Sequence, residues 1–349
     1  MSSSESIKPA YSRKDFISSS EIRWCSGCGD YFVHQALTAT WASLGIPREN
    51  FAVVSGIGCS SRLPYYTETF GFHTIHGRAP TVAIGAKLAN PDLSVWVISG
   101  DGDALSIGGN HFIHMLRRNP DINMVLFNNQ IYGLTKGQAS PTSKTGIQTK
   151  SSPMGSLDRP VSPIPLALAA GATFVARVVD TNPAMMREVF KAAAEHKGTS
   201  FIEVYTNCPI FNDGVHEPFE SRKTRKDNTL ELRNKEPMIF GKLADRGIVL
   251  DGLNARVSQQ TDSDYSEEKL LVQDESNSQL AWLLGQMSYP EFPLPVGVFY
   301  RSDAPVYEEE VMKQETQSVT RHGPPDLKSL FHSGETWTVD PEKSEEPLL

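Results

Sequence analysis

The sequence contains no uninterrupted apolar stretch of the roughly 18 residues that a membrane-spanning helix requires. Its N-terminus, Met1-Ser-Ser-Ser-Glu-Ser, lacks the apolar segment of a secretory signal. Positive charge is also scarce, because 33 Lys and Arg residues face 41 Asp and Glu residues and give a net charge of −8. No basic patch with interleaved aromatic residues occurs, which argues against nucleic-acid binding. We therefore expect a cytoplasmic protein that binds neither membranes nor nucleic acids.

Apolar runs and helical patterns alternate along the chain up to about residue 207. The 349 residues, 39% of them hydrophobic, can form a substantial core. Strands are predicted at 51–54, 94–99, 123–127, 174–178 and 201–205, and helices at 31–43, 81–89, 110–118, 165–170 and 183–196. This order predicts an α/β fold with a doubly wound, mostly parallel sheet, which binds ligands at the carboxyl ends of its strands.

The character of the sequence changes after about residue 222. The sequence becomes polar, and the excess of acidic residues lies in this last part, although short apolar segments such as 280–284 persist. We therefore divide the chain into a cofactor-binding domain, 1–222, and a C-terminal extension, 223–349. The extension is expected to pack on the body or on a partner subunit and to be partly disordered at its end.

Gly100-Asp101-Gly102-Asp103 follows a predicted strand and is typical of a diphosphate and Mg²⁺ site. Glycines let the backbone turn sharply and bring N–H groups against phosphate oxygens, and Asp101 offers a carboxylate to the metal. The next strand delivers the amide oxygen of Asn129 to the same edge of the sheet. Magnesium favours one or two carboxylates together with ligand phosphates. An ordinary turn is the alternative reading, but the Asn pair at this distance favours a cofactor site.

The four cysteines are Cys25, Cys28, Cys59 and Cys208. A cytoplasmic chain keeps its thiols reduced, so a set of four indicates a metal or cluster before a disulfide. Structural zinc sites usually combine two close Cys-x-x-Cys pairs, whereas only one pair occurs here. A [4Fe–4S] cluster accepts such scattered ligands. The spacing favours a cluster, and zinc or four unrelated buried thiols stay open as alternatives.

The spacing from Gly-Asp-Gly to Asn-Asn resembles the signature of thiamine diphosphate enzymes. In that family the Asp, the Asn and the backbone carbonyl two residues past the Asn hold the metal. The resemblance therefore implies that Asp101, Asn129 and the carbonyl of Ile131 bind Mg²⁺.

Six segments together resemble the β subunit of a 2-oxoacid:ferredoxin oxidoreductase. They lie between residue 24 and about 215: Trp24-Cys-Ser-Gly-Cys-Gly, Gly56-Ile-Gly-Cys-Ser-Ser, His76-Gly-Arg-Ala-Pro, Gly100-Asp-Gly-Asp, Asn128-Asn-Gln-Ile-Tyr-Gly-Leu-Thr-Lys-Gly-Gln and Cys208-Pro. In that family this subunit binds thiamine diphosphate through its diphosphate and carries one [4Fe–4S] cluster on four cysteines. The resemblance implies that Cys25, Cys28, Cys59 and Cys208 bind the cluster. It also implies a separate α subunit, in an α2β2 assembly, that holds the aminopyrimidine half of the cofactor.

These segments also supply the expected cofactor contacts and two candidate catalytic residues. Cofactor contacts are expected from Gly58, Ser60, His76, Gly100, Gly102, Asp103, Tyr132, Gly133, Leu134 and Thr135. Arg62 and Lys136 are the candidate catalytic cations, because each closely follows a cofactor-binding segment and can pair with a substrate carboxylate. His73 has a weaker claim than His76, since a lone histidine is more often a core or capping residue.

The resemblance implies oxidative decarboxylation of a 2-oxoacid to an acyl-CoA, with electrons passed through the cluster to ferredoxin. The reverse carboxylation stays open. We expect 2-oxoglutarate rather than pyruvate as substrate, because its second carboxylate needs a fixed cation and two candidates are present. A pyruvate or broad 2-oxoacid enzyme, a thiamine enzyme half without redox function, and a scaffold subunit with a Cys₄ zinc site are the alternatives.

Overall fold

A computed structural model describes residues 10–263 and 265–339. An eight-stranded sheet forms its centre. Its strands are β1 (Phe51–Ser55), β2 (Phe70–His73), β3 (Ser94–Gly100), β4 (Ile122–Asn128), β5 (Phe174–Val179), β6 (Ser200–Tyr205), β7 (Thr229–Leu232) and β11 (Leu294–Arg301). The spatial order is β2-β1-β3-β4-β6-β5-β11-β7. The first six are parallel, and β11 runs antiparallel to β5 and parallel to β7. The predicted mostly parallel sheet is confirmed, and each predicted strand is found within one residue of its expected ends.

Helices precede, connect and follow the strands of the described residues. They are α1 (Asp30–Ser43), α2 (Ala79–Ala89), α3 (Asp101–Leu105), α4 (Gly109–Arg118), α5 (Pro163–Ala169), α6 (Pro183–Glu195), α7 (Glu217–Glu220), α8 (Arg225–Asn228), α9 (Ser278–Gln286), α10 (Tyr307–His322) and α11 (Leu327–Phe331). The five predicted helices correspond to α1, α2, α4, α5 and α6. Asn182 caps α6 as expected, because its Oδ1 accepts a hydrogen bond from the backbone N–H of Met185 at 3.3 Å.

Both faces of the sheet are buried, which explains why the central strands read as continuous apolar runs. Alternate residues of β3 point to opposite sides: Trp96 joins the core beneath α1 and α6, whereas Val95 and Val97 join the core beneath α2, α4, α5 and α9. In the first core the rings of Trp41 and Trp96 have centroids 5.7 Å apart. Two buried faces leave the carboxyl ends of the strands as the place for a ligand.

The polar part of the sequence contributes to the same sheet. After residue 222, β7 and β11 extend the sheet beyond β5, and β8 (Ile239–Phe240), β9 (Arg246–Asp251) and β10 (Asn254–Gln259) form a small antiparallel sheet. The chain divides into two compact units, Met1–Glu308 and Glu309–Leu349. Residues 223–308 thus pack on the body. That residues 1–222 form a separate domain stays a prediction.

The extension is expected to be partly disordered at its end, and residues 340–349 of it lie outside the described part of the chain. Within residues 10–263 and 265–339, no helix has both the length and the apolar character needed to cross a bilayer.

A truncation would test where the first domain ends. A chain ending at residue 222 lacks β7, α9 and β11, so it leaves the edge of β5 unpaired and uncovers the core where Leu230, Leu284 and Phe299 are fully buried. We expect this fragment to aggregate and to show no cooperative thermal unfolding in calorimetry. A control ending at residue 308 should unfold cooperatively, and a monodisperse, cooperatively folding 1–222 fragment would establish that region as an independent domain.

Candidate functional site

A cavity of about 530 Å³ opens at the carboxyl ends of β1, β3 and β4. Because β3 and β4 pair in parallel, with Gly100 opposite Phe127, the residues that follow them emerge side by side. All ten predicted cofactor-binding residues line this cavity: Gly58, Ser60, His76, Gly100, Gly102, Asp103, Tyr132, Gly133, Leu134 and Thr135. Among the predicted metal ligands, Cys59, Asp101, Asn129 and Ile131 line it as well.

Asp101 is the carboxylate best placed to bind a cation. Its residue is only 2% exposed, and its Oδ2 accepts hydrogen bonds from Ser140 Oγ and Thr142 Oγ1, each at 2.5 Å. Burial raises the pKa of Asp101 to about 6, and the two hydroxyl hydrogen bonds oppose that rise. Within the described residues no Lys, Arg or His side chain forms an ion pair with Asp101. A buried carboxylate without a protein cation is well suited to a divalent metal ion.

Asn129 and Ile131 add uncharged oxygens on the neighbouring strand end. Asn129 Oδ1 accepts a hydrogen bond from the N–H of Ile131 at 3.1 Å, and Asn212 Nδ2 holds the Asn129 carbonyl at 2.9 Å. The carbonyl oxygen of Ile131 accepts no hydrogen bond from any other described residue. One carboxylate with amide and carbonyl oxygens is the donor set that Mg²⁺ accepts alongside phosphate. These residues therefore fit the metal that the sequence predicts.

Asp103 serves a different purpose from Asp101. Its Oδ1 accepts hydrogen bonds from the N–H groups of Gly77 (2.7 Å) and Ile57 (3.1 Å) and lies 2.6 Å from Nδ1 of His76. Its Oδ2 accepts a bond from Ser99 Oγ at 2.5 Å. Four donors thus occupy both carboxylate oxygens, and Asp103 fastens two loops to the end of β3. Any effect of Asp103 on the diphosphate acts through the loops that it holds.

Close packing explains Gly102, and backbone conformation explains Gly58. A Cβ at Gly102 would lie 2.1 Å from the Tyr132 ring, whose hydroxyl donates to the Gly102 carbonyl at 3.1 Å. Gly58 has a φ of +143°, which side chains rarely adopt, and a Cβ there would meet no atom within 4 Å. Gly102 thus lets an aromatic ring pack against the Asp101 turn, and Gly58 leaves bare backbone beside the cavity.

The four cysteines are free thiols, and Cys59 lines the cavity. Cys25 is exposed, Cys59 is half-buried, and Cys28 and Cys208 are buried. A Cβ placed on the cavity residue Gly133 would lie 3.5 Å from Sγ of Cys59 and 3.6 Å from Sγ of Cys208. Burial raises the pKa of Cys59 to about 12 and also raises the pKa of Cys28 and Cys208. Thiols this hard to ionise become thiolates readily only with a strong Lewis acid such as iron.

The spacing of the thiols also bears on the kind of metal. In the described part of the chain, no three His, Cys, Asp or Glu side chains converge closely enough to hold one metal ion. A cubane cluster binds each thiolate at a different iron, so its ligands need not meet around one point. The assignment of the four thiols to a [4Fe–4S] cluster stays a prediction.

Neither candidate catalytic cation lines the cavity. Arg62 belongs to a short 3-10 helix, Ser60–Tyr66, and its positive charge lowers the pKa of Cys59 against the larger effect of burial. Lys136 is exposed, with a φ of +76°, in a tight turn just after Thr135. His73 also lies outside the cavity wall, and its Nδ1 contacts Ser55 Oγ and the Ser61 carbonyl, each at 3.0 Å.

Several residues at the site were not predicted from the sequence. Asp30, Ile57, Phe127 and Gln138 also line the cavity, and Ser140 and Thr142 hold Asp101. Asp30 is buried, and burial raises its pKa to about 7 while a hydrogen bond with Cys28 opposes the rise. Two signals were available: Asp30 directly follows the Cys-x-x-Cys-Gly segment, and residues 140–145 are rich in hydroxyl groups.

Residues 56–204 match a family described as thiamine pyrophosphate enzyme, C-terminal TPP binding domain. The chain is also 46% identical over 332 residues to the 2-oxoglutarate oxidoreductase subunit KorB of Mycobacterium tuberculosis, which covers 94% of this chain and 88% of that protein. This chain belongs to the family of 2-oxoacid:ferredoxin oxidoreductase β subunits. Subunit β of 2-oxoacid:ferredoxin oxidoreductase 2 from Aeropyrum pernix is 44% identical over 57% of this chain and 64% of its own length.

A solved structure is also similar. The 2-oxoglutarate:ferredoxin oxidoreductase of Magnetococcus marinus, with 2-oxoglutarate, coenzyme A and succinyl-CoA bound, matches with a TM-score of 0.74 and 32% identity, over 93% of this chain and 97% of that chain. The predicted family and fold class are thus confirmed. The chain is an oxidoreductase subunit with a thiamine diphosphate-binding domain.

We predict that Asp101→Asn separates stability from cofactor binding. The folded-state pKa of Asp101, about 6, lies above the usual 3.8, so the metal-free fold loses stability as pH rises from about 4 to 6. The Asn variant should avoid this loss and gain up to roughly 3 kcal/mol in free energy of unfolding near pH 7.5. It should nevertheless lose Mg²⁺-dependent binding of thiamine diphosphate.

Urea denaturation with and without EDTA would measure the stability, and calorimetric titration would measure binding. The stability gain should disappear below about pH 4, where Asp101 is protonated in both states. Undiminished cofactor affinity in the variant would place the metal elsewhere.

Proposed function

We propose that this chain is the β subunit of a CoA-dependent 2-oxoglutarate:ferredoxin oxidoreductase. The reaction converts 2-oxoglutarate, coenzyme A and two oxidised ferredoxins into succinyl-CoA, CO₂, a proton and two reduced ferredoxins, and it can run in reverse. One observation carries the proposal. Gly133 lines the cavity that contains Asp101, Asn129 and Ile131, and the thiols of Cys59 and Cys208 lie next to the same glycine. A carbon-chemistry site and an electron acceptor are thereby neighbours.

The chain's part in cofactor binding is to hold the diphosphate and its metal. Thiamine diphosphate, when bound, supplies the nucleophilic carbon that allows the bond between C1 and C2 of a 2-oxoacid to break. Asp101, Asn129 and the carbonyl of Ile131 would bind Mg²⁺, and backbone beside Gly58 and Gly102 would face the diphosphate. Asp103 keeps these loops in place before the cofactor arrives.

The four cysteines would carry the electrons away from the cavity. A [4Fe–4S] cluster, when bound, supplies a one-electron acceptor. Cys59 lies on the cavity wall, whereas Cys25 is exposed, so the ligand set extends from the cavity to the protein surface. This direction suits an electron path from the substrate to a docked ferredoxin. The exposed side is therefore where we place the ferredoxin partner.

The catalytic unit requires a second subunit. Relatives that match this chain are themselves named as β subunits or KorB subunits. Asp101 and Asp103 are already engaged at the diphosphate end, and no other carboxylate on the cavity wall except Asp30 belongs to the described residues. We therefore assign the aminopyrimidine half of thiamine to an α subunit, in an α2β2 assembly. The cytoplasmic location also stays a prediction.

The choice of 2-oxoglutarate follows from charge and from the relatives. The M. tuberculosis protein, at 46% identity, and the Archaeoglobus fulgidus protein, at 46%, are both named for 2-oxoglutarate. Arg62 and Lys136 are long cations next to cavity-lining residues, so each can extend toward a bound dicarboxylate. Pyruvate has no second carboxylate and needs no such cation. Pyruvate or broad 2-oxoacid use is the second candidate, because the Aeropyrum relatives are named only for 2-oxoacids.

Substrate preference tests this assignment. In the complex with its partner subunit, the wild-type enzyme should have a higher kcat/KM for 2-oxoglutarate than for pyruvate. Arg62→Gln or Lys136→Gln should lower kcat/KM for 2-oxoglutarate by about ten- to a thousandfold, which corresponds to roughly 1.4–4 kcal/mol of transition-state stabilisation. Pyruvate turnover should fall less, because it lacks the carboxylate that these cations would pair with.

Lys150→Gln is the matched control, since Lys150 is exposed and does not line the cavity. Equal losses for the two substrates would assign the cations to the carboxylate that both share, or to the diphosphate. A wild-type preference for pyruvate would overturn the dicarboxylate assignment.

Replacing one cysteine tests the redox assignment. Cys59→Ala should remove most of the visible absorbance and the ferredoxin reduction of the anaerobically purified complex, because one cluster ligand is lost. Asp101→Asn should show the reverse pattern, a coloured protein without cofactor binding. Chemical analysis of iron and sulfide measures how many of each atom the variant retains. A Cys59→Ala variant that retains about four irons and four sulfides would refute the ligand set.

The same measurement on the wild-type protein separates the alternatives. A colourless anaerobic complex that binds thiamine diphosphate would favour a thiamine enzyme half without redox function. A complex that retains zinc and no thiamine diphosphate would favour a scaffold subunit.

A further inference from the structure

The carboxylate of Asp101 is held by a segment that follows it by about forty residues. Both Ser140 Oγ and Thr142 Oγ1 lie 2.5 Å from Asp101 Oδ2, and all three residues are buried. No side chain of the described residues donates to the other oxygen, Oδ1. The two hydroxyls therefore fix one oxygen of Asp101 and leave the other for a ligand.

Thr142 is itself held by a fixed amide. Its Oγ1 lies 2.9 Å from Asn128 Oδ1, and Asn128 Nδ2 donates to Glu203 Oε1 at 2.7 Å. The Glu203 carboxylate is completely buried and pairs through Oε2 with Arg177 Nε at 2.7 Å. Such a paired, hydrogen-bonded group in the sheet interior has little freedom to move.

The Thr142 hydroxyl has one proton and two acceptors. The Asp101 contact, at 2.5 Å, is shorter than the Asn128 contact, at 2.9 Å, so Asp101 Oδ2 is the main acceptor of the hydroxyl. Asn128 Oδ1 is the second acceptor of the Thr142 hydroxyl, at 2.9 Å, and it also accepts a hydrogen bond from the N–H of Gln130 at 3.3 Å. Among residues 10–263 and 265–339, Ser140 forms hydrogen bonds with Thr142 and Ser143 of its own loop and with Asp101, but with none of Arg177, Glu203 and Asn128.

We propose that Thr142 is the positioning residue of the metal site. Its hydroxyl links the buried network of Arg177, Glu203 and Asn128 to Asp101 Oδ2. The orientation of Asp101 Oδ1 is thereby fixed before a divalent cation binds. The proposal rests on the Mg²⁺ and thiamine diphosphate site proposed above. Its chemical consequence is selectivity, because Mg²⁺ demands near-octahedral oxygen geometry whereas Ca²⁺ tolerates a looser and larger arrangement.

The expected effects follow from the loss of a fixed orientation for the Asp101 carboxylate. Removing a hydrogen-bond partner that orients a metal ligand typically weakens metal binding by about 10–100-fold. Thr142→Val keeps the side-chain shape but removes the hydroxyl, so the Mg²⁺ concentration for half-maximal thiamine diphosphate binding should rise by that factor. Ca²⁺-supported binding should change less than about threefold, so the preference for Mg²⁺ over Ca²⁺ should fall. Thr142→Ser should restore both values to within about threefold of wild type.

The experiment uses the full chain in complex with its partner subunit, stripped of metal with EDTA. Thiamine diphosphate binding is followed by calorimetry during titration with MgCl₂ or CaCl₂. Thr145→Val is the matched control, because it makes the same change in the same loop, where the hydroxyl donates to the Asp158 carbonyl and not to Asp101. If Thr142→Val fails to fold, Thr142→Ala provides the same comparison.

Each outcome bears on a separate statement. Thr142→Val with Mg²⁺ and Ca²⁺ values within twofold of wild type would overturn the positioning role while Asp101→Asn still abolishes binding. Equal losses in Thr142→Val and Thr142→Ser would also overturn it, since the hydroxyl would not be the cause. A wild-type complex that binds thiamine diphosphate without divalent metal would overturn the metal site itself, together with this inference.

Discussion

Two carboxylates at the end of β3 set the conditions for the whole site. Asp101 and Asp103 are both buried, and a buried charge is tolerated only when other groups compensate it. Asp103 receives four donors from Ile57, His76, Gly77 and Ser99, so it ties the loops after β1 and β2 to β3. Asp101 accepts side-chain hydrogen bonds from two hydroxyls, and burial raises its pKa to about 6. The two residues differ in how completely hydrogen bonds occupy their carboxylate oxygens. The saturated carboxylate shapes the cavity, and the unsaturated one is left to bind within it.

Local sequence patterns were sufficient for the elements that carry the site. The central strands are apolar on both faces, and a parallel sheet places their carboxyl ends together, so Asp101 and Asn129 could be assigned to one edge from the sequence. Long-range contacts could not be predicted from local sequence patterns. Nothing local indicates that Thr142 reaches Asp101, or that β11 pairs with β5 across more than a hundred residues of chain. The region after residue 222 was read as an extension because its sequence turns polar, although β7 and β11 add to the sheet.

The cations illustrate a second limit of sequence reasoning. Nearness along the chain placed Arg62 beside Cys59 and Lys136 beside Thr135, and the structure keeps those relations. It does not follow that their side chains point into the cavity. Lys136 lies in a left-handed turn closed by a hydrogen bond from its N–H to the Gly133 carbonyl at 3.0 Å, and that turn leaves its side chain exposed. Side-chain direction depends on backbone geometry at single residues, which spacing does not encode.

The metal-free and cluster-free chain has a site whose groups are energetically unfavourable together. Buried Asp30 and Asp101 have pKa values raised to about 7 and about 6, and burial raises the pKa of Cys59 to about 12. For the predicted ligands Asp101 and Cys59, these shifts mean that the ionised forms needed for metal binding are disfavoured until a cation is present. Because metal ions bind the deprotonated ligands of the folded chain, the binding free energy adds to the stability of the fold. The surrounding sheet, with both faces buried, provides the stability that offsets the unfavourable burial of these groups. Mg²⁺ and a cluster would then convert the most unfavourable groups of the metal-free protein into some of its strongest contacts.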